Sequence, residues 1–205
     1  LKDNVAARNY VHPTPIQDQS IPAIMAGKDV IGLANTGTGK TAAFLLPLIN
    51  NLIENPQRYT ALIMVPTREL STQIYDEFRL FARNTPAYAA VCVGGVNIHP
   101  QIAALKRRPQ VIIGTPGRLK DLLEQRALKL GQVGYLVLDE ADRMLDMGFI
   151  KDIRYLVDQT PKQRQSLCLS ATMTPEINQL INDFLIDPVT ISVRKSQTGA
   201  NIDQD

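Results

Sequence analysis

The sequence predicts an α/β domain with a mostly parallel, twisted sheet and helices on both of its faces. Short runs of aliphatic and β-branched residues recur along the 205-residue chain, and segments with helical spacing separate most of them. Strands that alternate with helices in this way pair in parallel, because each helix carries the chain back across the sheet. The length fits one ordinary domain, and a 44% hydrophobic content allows a buried core.

Seven short apolar runs are interpreted as buried strands. They are Val30–Ala34, Ala61–Val65, Ala89–Val93, Val111–Gly114, Tyr135–Asp139, Ser166–Ser170 and Val189–Val193. Four segments between them have helical periodicity: Lys40–Asn51, Thr67–Phe81, Pro116–Gln125 and Pro175–Leu185. Pro47 lies inside the first helix, where proline costs about 3 kcal/mol and bends the axis, so the start of that helix is better defined than its end.

Three predicted strands lead directly into helix starts. Thr67 follows Pro66, while Thr115 and Thr174 each precede a proline at the first helical position. Right-handed crossovers place such junctions at the carboxyl edge of the sheet. Free N–H groups and about half a positive charge at each helix start suit phosphate oxygens there. For any single junction, helix capping alone is a sufficient explanation. The location of all three junctions at one edge of the sheet is what favours an anion-binding site.

Charge and cysteine content restrict the class of protein. The chain has 22 Lys+Arg and 20 Asp+Glu, a formal charge of +2, which gives no overall electrostatic signature of a nucleic-acid partner. Cys92 and Cys168 lie far apart in apolar runs, so buried reduced thiols are favoured over a disulfide or a metal site. The sequence shows no signal-peptide pattern and no membrane-spanning run, so we expect a soluble, cytoplasmic protein. Because the chain begins at Leu1 without methionine, we interpret it as an excised fragment.

A glycine-rich segment follows the first predicted strand and opens the first helix, which is the context of a P-loop. Its residues are the predicted nucleotide-binding set: Asn35, Thr36, Gly37, Thr38, Gly39, Lys40 and Thr41. The glycines let successive N–H groups face a phosphate, Lys40 reaches the β and γ phosphates, and the Thr41 hydroxyl is a ligand for Mg²⁺. The strict motif has glycine where this chain has Ala34.

Asp139 and Glu140 follow another apolar strand. A carboxylate at the end of a strand beside a P-loop is suited to hold Mg²⁺, and Glu140 would then orient or deprotonate the attacking water. The sequence therefore predicts Lys40, Asp139 and Glu140 as catalytic residues, with Thr41 and Asp139 at the metal. ATP is favoured over GTP because the chain contains no Asn-Lys-x-Asp guanine-binding motif.

The tetrapeptide Asp139-Glu140-Ala141-Asp142 resembles that of DEAD-box ATP-dependent RNA helicases, and the resemblance to their first RecA-like domain covers nearly the whole chain. It implies a RecA-like P-loop NTPase domain over residues 1–193 and a linker over 194–205 toward a second RecA-like domain. Alanine at the first P-loop position is usual in this family. The motifs are similar in style to those of bacterial members.

The same resemblance assigns further residues. Residues 10–17 resemble the Q motif, in which Gln17 would hydrogen-bond the adenine edge and Tyr10 would contact the nucleotide. Ser170-Ala171-Thr172 resembles the motif that hydrogen-bonds Asp142, so Asp142, Ser170 and Thr172 would couple hydrolysis to unwinding. Three further segments resemble those that hold the RNA backbone: Pro66, Thr67, Arg68, Gly94, Gly95, Thr115, Pro116, Gly117 and Arg118.

The activity implied by the resemblance is RNA-stimulated ATP hydrolysis coupled to the separation of short duplexes, with contacts to the RNA backbone and little sequence specificity. The second domain would supply arginines worth about 10³–10⁵ in rate, so this half alone should be nearly inactive. The adenine-stacking aromatic of the family would lie before Leu1, and Asn9 stands where glycine is common. Two alternatives stay open: a DNA translocase of the same superfamily, and a nucleotide-gated module that binds a protein partner.

The remaining candidates are weaker. His12 and His99 have no ligand-spaced neighbours, which argues against zinc. Ser170 has no histidine in a catalytic pattern, so a nucleophilic role is not supported. The basic cluster Lys106-Arg107-Arg108 is favoured as a solvated helix end, with an RNA contact as the alternative.

Overall fold

The computed structural model describes residues 1–8, 10–55 and 60–193, and the predicted linker lies outside them. One seven-stranded parallel sheet forms the centre of the molecule, with the strand order β3-β4-β2-β5-β6-β1-β7. The strands are β1 (Val30–Ala34), β2 (Thr60–Met64), β3 (Ala89–Cys92), β4 (Val111–Gly114), β5 (Val133–Leu138), β6 (Gln165–Ser170) and β7 (Val189–Val193). All seven predicted strands are confirmed, three of them with the predicted ends and four with ends that shift by one or two residues. Asp139, predicted as the last residue of a strand, lies just beyond β5.

Nine helices occur within the described residues. They are α1 (Lys2–Ala6), α2 (Pro15–Met25), α3 (Lys40–Glu54), α4 (Arg68–Phe81), α5 (His99–Lys106), α6 (Pro116–Glu124), α7 (Ala141–Asp146), α8 (Ile150–Asp158) and α9 (Pro175–Phe184). The four predicted helices are confirmed. The predicted end of the first at Asn51 is wrong, because α3 continues past the buried Pro47 to Glu54. Burial of Phe44, Leu48 and Leu52 against the sheet stabilises the helix on both sides of the proline.

Helices cover both faces of the sheet, as predicted. One apolar core lies between the sheet and α2, α3 and α4, and a second lies between the opposite face and α5 through α9. Along β2 the pleat sends Ile63 to the first core and Leu62 to the second. Cys92 and Cys168 are buried free thiols, and burial raises the pKa of each to about 12. No helix in the described ranges is long and apolar enough to cross a bilayer.

Parallel pairing places the carboxyl ends of all the strands at one edge of the sheet. The neighbouring strands β5, β6 and β1 bring the loops after Leu138, Ser170 and Ala34 together at this edge. The neighbouring strands β3, β4 and β2 do the same for the loops after Cys92, Gly114 and Met64. We call these the β5–β6–β1 half and the β3–β4–β2 half of the carboxyl edge.

Candidate functional site

The loop after β1 has the backbone curvature of a phosphate-binding turn. Gly37 and Gly39 have φ values of 77° and 91°, in the left-handed region that favours glycine, and Gly39 is the N-cap of α3. A Cβ added at Gly39 would lie 2.4 Å from Gln17 Nε2, so the close approach of α2 also requires glycine. Thr38 Oγ1 donates a 2.8 Å hydrogen bond to Asn35 O across the loop. The free N–H groups at the start of α3 therefore face the concave side of a tight turn.

Lys40 and Asp139 are buried at the P-loop edge and interact electrostatically. The two residues are 7% and 2% exposed, and Lys40 Nζ donates a 2.5 Å hydrogen bond to Ala34 O. Burial raises the pKa of Asp139 to about 6, and the charge of Lys40 opposes that rise. A buried carboxylate at this position is poised to accept a further cation, because added positive charge would favour its ionised form. Thr41 follows Lys40 in the first turn of α3.

Glu140 lies next to this pair in a strained conformation. It is the N-cap of α7 with a φ of 53°, which is uncommon for a residue other than glycine. Its N–H donates a 3.0 Å bond to Asp139 Oδ1, and its side chain, 15% exposed, pairs with Arg143 at 3.3 Å. Strain of this kind persists where the surrounding structure imposes it, and functional sites are its usual location. The ion pair with Arg143 then restrains the Glu140 carboxylate in the loop after β5.

Asp142 connects α7 to the loop after β6. Its Oδ2 accepts bonds from Ala171 N at 3.1 Å, Thr172 N at 3.0 Å and Thr172 Oγ1 at 3.1 Å. Partial burial opposes ionisation, but these bonds and one from Arg143 N outweigh it and lower the pKa of Asp142. Ser170 Oγ also lowers this pKa, although it is buried without a hydrogen bond of standard geometry. The contact between Asp142 and Thr172 that the resemblance implies is thus present.

Gln17 lies beside the P-loop, and both ends of its amide are occupied. Gln17 Oε1 accepts a 3.0 Å bond from Thr14 N, and Nε2 donates a 3.1 Å bond to Gly39 O. The side chain is buried, so contact with an adenine edge requires these bonds to be exchanged.

Tyr10 contacts helix α4. Its ring packs edge-on against Phe81, with the centroids 5.8 Å apart. Phe81 is the last residue of α4, which starts at the carboxyl edge and ends away from it. Tyr10 is partly buried against the first core, and its nucleotide contact stays a prediction.

Two arginines hold the loop after β3 in the β3–β4–β2 half. Arg68 Nη1 lies 3.5 Å from Gly94 O, and a Cβ at Gly95 would lie 2.7 Å from that same nitrogen. Arg118 Nη2 donates a 3.1 Å bond to Val96 O, and Arg118 Nε lies 3.7 Å from Asp121 Oδ2. The predicted arginines and the glycine pair therefore form one cluster.

All three predicted threonine helix starts are confirmed as N-cap positions, and two of the threonines also make a side-chain capping hydrogen bond. Thr67 Oγ1 accepts from Leu70 N at 3.2 Å, and Thr174 Oγ1 accepts from Ile177 N at 3.3 Å. Thr115 is the N-cap of α6 by position, but its side chain makes no capping bond. The predicted helix start at Thr115 and Pro116 is confirmed, and Thr115 is buried, with its N–H bonded to Cys92 O at 3.1 Å. Pro116 and Gly117 follow in the first turn of α6, and Pro66 is buried before α4.

Sequence reasoning missed Gln101, which shapes the glycine loop. Its Oε1 accepts from Val93 N at 3.1 Å, while its Nε2 donates to Val93 O at 3.1 Å and to Asn97 O at 3.3 Å. The side chain is 7% exposed. A single glutamine in a short helix of weak amphipathicity gives no sequence signal for this role, because its partners are backbone atoms brought close only by the fold.

Comparison with known proteins gives consistent relatives. A family model described as DEAD/DEAH box helicase matches residues 14–180. ATP-dependent RNA helicase CshA of Limosilactobacillus reuteri is 47% identical over 95% of this chain, and RNA helicase CrhR of Synechocystis is 44% identical over 94%. This chain spans 39% of the length of each. A solved DEAD box protein from the hyperthermophile Methanococcus jannaschii superposes with a TM-score of 0.89 at 38% identity, covering 94% of this chain and 53% of that one.

The parallel sheet, the P-loop at the end of β1 and the acidic pair at the end of β5 define a nucleotide-binding domain of the RecA-like class. The family match and the structural likeness place it more narrowly. This chain belongs to the DEAD/DEAH box helicase family and resembles the first domain of its members.

Proposed function

We propose that the protein containing this chain is an ATP-dependent RNA helicase, and that this domain binds ATP and one part of the RNA backbone. One observation carries the proposal: the P-loop, the acidic pair and the two arginine-bearing loops lie at the same edge of one sheet. A triphosphate and a polynucleotide backbone would therefore lie side by side. Relatives named as RNA helicases support RNA as the substrate.

ATP would be held mainly by the loop after β1. Backbone N–H groups of residues 35–41 would contact its phosphates, and Lys40 Nζ would exchange its bond with Ala34 O for the β and γ phosphates. Gln17 would bond the adenine by giving up Thr14 N and Gly39 O. Adenine binding would therefore also release the hydrogen bond by which Gln17 Nε2 holds Gly39 O in the P-loop.

The donor set fits Mg²⁺. The Thr41 hydroxyl and the Asp139 carboxylate are hard oxygen ligands, and the raised pKa of Asp139 marks a buried carboxylate that a cation would stabilise in its charged form. When bound, the ion would neutralise charge on the β and γ phosphates. Thr41 and Asp139 would hold it, with Asp139 ionised.

Glu140 would act on the attacking water. Its backbone is fixed by the bond to Asp139 Oδ1, and its carboxylate is held at the loop mouth by Arg143. A carboxylate in this place can accept the proton of a water aligned with the γ phosphate. Lys40, Asp139 and Glu140 are thus proposed to orient the phosphates, hold the metal and activate the water, respectively.

RNA would lie along the β3–β4–β2 half. Arg68 and Arg118 are forked donors suited to phosphate oxygens, and Gly94 and Gly95 let a backbone approach closely. Thr67 and Thr115, with Pro66, Pro116 and Gly117, place helix N-termini at the same edge. Contacts of this kind carry little base information, so sequence preference should be slight.

Coupling between hydrolysis and unwinding would pass through Asp142, Ser170 and Thr172. The three bonds to Asp142 Oδ2 join the helix after the acidic pair to the loop after β6. A second RecA-like domain would close over this edge and supply the arginines for the transition state. This half alone should turn over ATP very slowly.

The deciding experiment is ATP turnover by the complete protein with no nucleic acid, with RNA and with DNA of the same sequence. Stimulation by RNA alone, together with strand separation that requires ATP, is the expected result. Equal stimulation by DNA would instead favour a DNA translocase, since the 2′-hydroxyl would then not be recognised. No turnover, combined with ATP-dependent capture of a protein, would favour a nucleotide-gated binding module.

A further inference from the structure

Five cationic side chains lie at the amino edge of the sheet, opposite the site described above. Lys106, Arg107 and Arg108 end α5 and begin the loop to β4, and Arg126 and Lys129 lie in the loop between α6 and β5. All five are exposed. None of them forms an ion pair with any residue in the described ranges. They are therefore free to bind an anion.

The sheet brings these two loops together. Strands β4 and β5 both pair with β2, and neighbouring strands lie about 4.8 Å apart, so the two strand starts are roughly 10 Å apart. Gln110 O accepts from Ala61 N, and Gln132 O accepts from Thr60 N, which fixes both loops to the start of β2. One cleft at this edge is lined by Lys106, Arg108, Arg126 and Lys129, among others. The two loops are separated by about the Debye length, which is about 10 Å in 0.1 M salt, so the electrostatic potentials of their cationic side chains overlap.

Two of these arginines occupy positions that favour glycine. Arg108 and Arg126 have φ values of 54° and 59°, and each donates its N–H to the carbonyl three residues earlier, at the end of a helix. Glycine is the usual residue at such helix ends, because it adopts this conformation without steric cost. The chain thus has a charged side chain at two positions where glycine would make the fold more stable.

We propose that this amino edge is a second, non-catalytic binding site for the RNA backbone. Glu54, which lines the same cleft, and Glu124 at the end of α6 are exposed carboxylates at this end of the sheet, so five cations exceed two anions there although the whole chain carries only +2. Arginine is well suited to phosphate oxygens. The guanidinium of Arg107 lies over the Tyr88 ring at 4.6 Å, which presents a flat cationic surface on which a base can stack.

The inference rests on the proposed function for its choice of RNA. A five-residue strand is about 17 Å long, so the amino edge would hold a different segment of RNA from the carboxyl edge. The expected effect is tighter retention of structured RNA with no change in the chemistry of hydrolysis.

The test measures binding of a labelled duplex RNA with a single-stranded overhang to the complete protein without nucleotide, over a series of salt concentrations. R108G/R126G removes two charges and relieves the backbone strain. We expect weaker binding, a salt dependence shallower by about 0.7–0.9 for each lost phosphate contact, and a melting temperature equal to or above that of the parent. R108K/R126K keeps both charges and should retain most of the affinity.

A second pair of variants compares the loss of one lysine charge at the amino edge with the same loss elsewhere on the surface. K129Q removes an exposed lysine of the amino edge, and K151Q removes an exposed lysine at the start of α8. K129Q should weaken RNA binding severalfold and K151Q should not. ATP turnover at saturating RNA should be the same for all of these variants.

Several results would overturn the proposal. The first is an RNA affinity equal to that of the parent in both R108G/R126G and K129Q. The second is an equal loss of RNA affinity in R108G/R126G and R108K/R126K, or a melting temperature of R108G/R126G that falls together with its affinity. The third is competition by polyglutamate as strong as that by RNA, which would indicate an acidic protein ligand. If turnover responds to RNA but the variants bind like the parent, only this inference fails. If the variants lose affinity but turnover ignores RNA, the proposed function fails and the second site stands. If RNA does not bind at all, both fail.

Discussion

The two halves of the carboxyl edge differ in how deeply their charged side chains are buried. In the β5–β6–β1 half, Lys40 and Asp139 are almost fully buried and interact electrostatically. In the β3–β4–β2 half, Arg68 is exposed, with its Nη1 3.5 Å from the Gly94 carbonyl oxygen, so its charge stays solvated. Buried charges are costly but hold a precise arrangement before the ligand arrives, whereas an exposed arginine adapts to a flexible backbone at little cost. The proposed function accordingly assigns the chemistry to the first half and polymer binding to the second.

The largest expected effect comes from Glu140→Gln, which removes a base from the β5–β6–β1 half. We expect RNA-stimulated turnover by the complete protein to fall by about 10²–10⁴, because an amide cannot take the proton of the attacking water. ATP and RNA affinities should stay close to parental, since the backbone bond to Asp139 Oδ1 remains. Steady-state turnover and nucleotide titration measure the two quantities separately.

Glu69→Gln is the matched control for that variant. Glu69 is an exposed carboxylate in the first turn of α4, in the other half of the same edge. Its replacement should leave turnover near the parental rate. A comparable loss in both variants, or retained turnover in Glu140→Gln, would contradict the assignment of chemistry to one half.

Arg68→Ala tests the β3–β4–β2 half. A hydrogen bond to a charged group contributes about 1.5–3 kcal/mol, so RNA binding should weaken roughly 10- to 100-fold while ATP affinity in the absence of RNA is unchanged. Arg79→Ala removes an exposed arginine from the far end of the same helix and serves as the control. Weaker ATP binding by Arg68→Ala would show that the halves are not separate.

The pH dependence of stability tests the buried charge of the first half. The pKa of Asp139 is raised from 3.8 to about 6 in the folded protein, so between these values the folded state holds more protons than the unfolded state. The free energy of unfolding contributed by this group must then fall as the pH rises from about 4 to 6, by at most about 3 kcal/mol. Asp139→Asn should lack this fall, and denaturant titrations at several pH values measure it.

Asp76→Asn is the control for the pH experiment, because Asp76 is an exposed aspartate on α4. Its stability profile should follow that of the parent chain. Identical profiles for Asp139→Asn and the parent would mean that Asp139 is not held in an environment that opposes its charge.

The two halves also differ in how far the sequence predicts them. Glycine spacing, Lys40 and the acidic pair follow from local motifs, because their chemistry needs fixed residue types at fixed spacing along the chain. The strands follow from apolar runs. The bonds of Gln17 to Thr14 N and Gly39 O, and the contact of Tyr10 with Phe81, depend on where α2 and the N-terminal segment pack. The short helices α7 and α8 were not predicted: the six residues of α7 are too few for a clear helical period, whereas the apolar face of the nine-residue α8 is a sequence signal that could have been recognised.

The smallest expected effect concerns Gln101, whose three hydrogen bonds shape the loop that Arg68 and Arg118 contact. Gln101→Ala leaves Val93 N, Val93 O and Asn97 O without these partners, at a cost of about 1–3 kcal/mol in the free energy of unfolding. RNA binding should weaken only severalfold, because the arginines remain and only the loop between them loosens. ATP affinity should not change, since the loop belongs to the other half of the edge.

Gln101→Glu sharpens this last test, because it keeps the acceptor for Val93 N and loses the donors to the two carbonyls. Its buried carboxylate oxygen would repel Val93 O and Asn97 O, so its RNA affinity should fall at least as far as that of Gln101→Ala if the loop is held from both sides. Gln73→Ala, an exposed glutamine on α4, is the control for a lost amide. An unchanged RNA affinity in Gln101→Ala, with the expected loss of stability, would mean that the arginines bind RNA without the loop geometry that joins them.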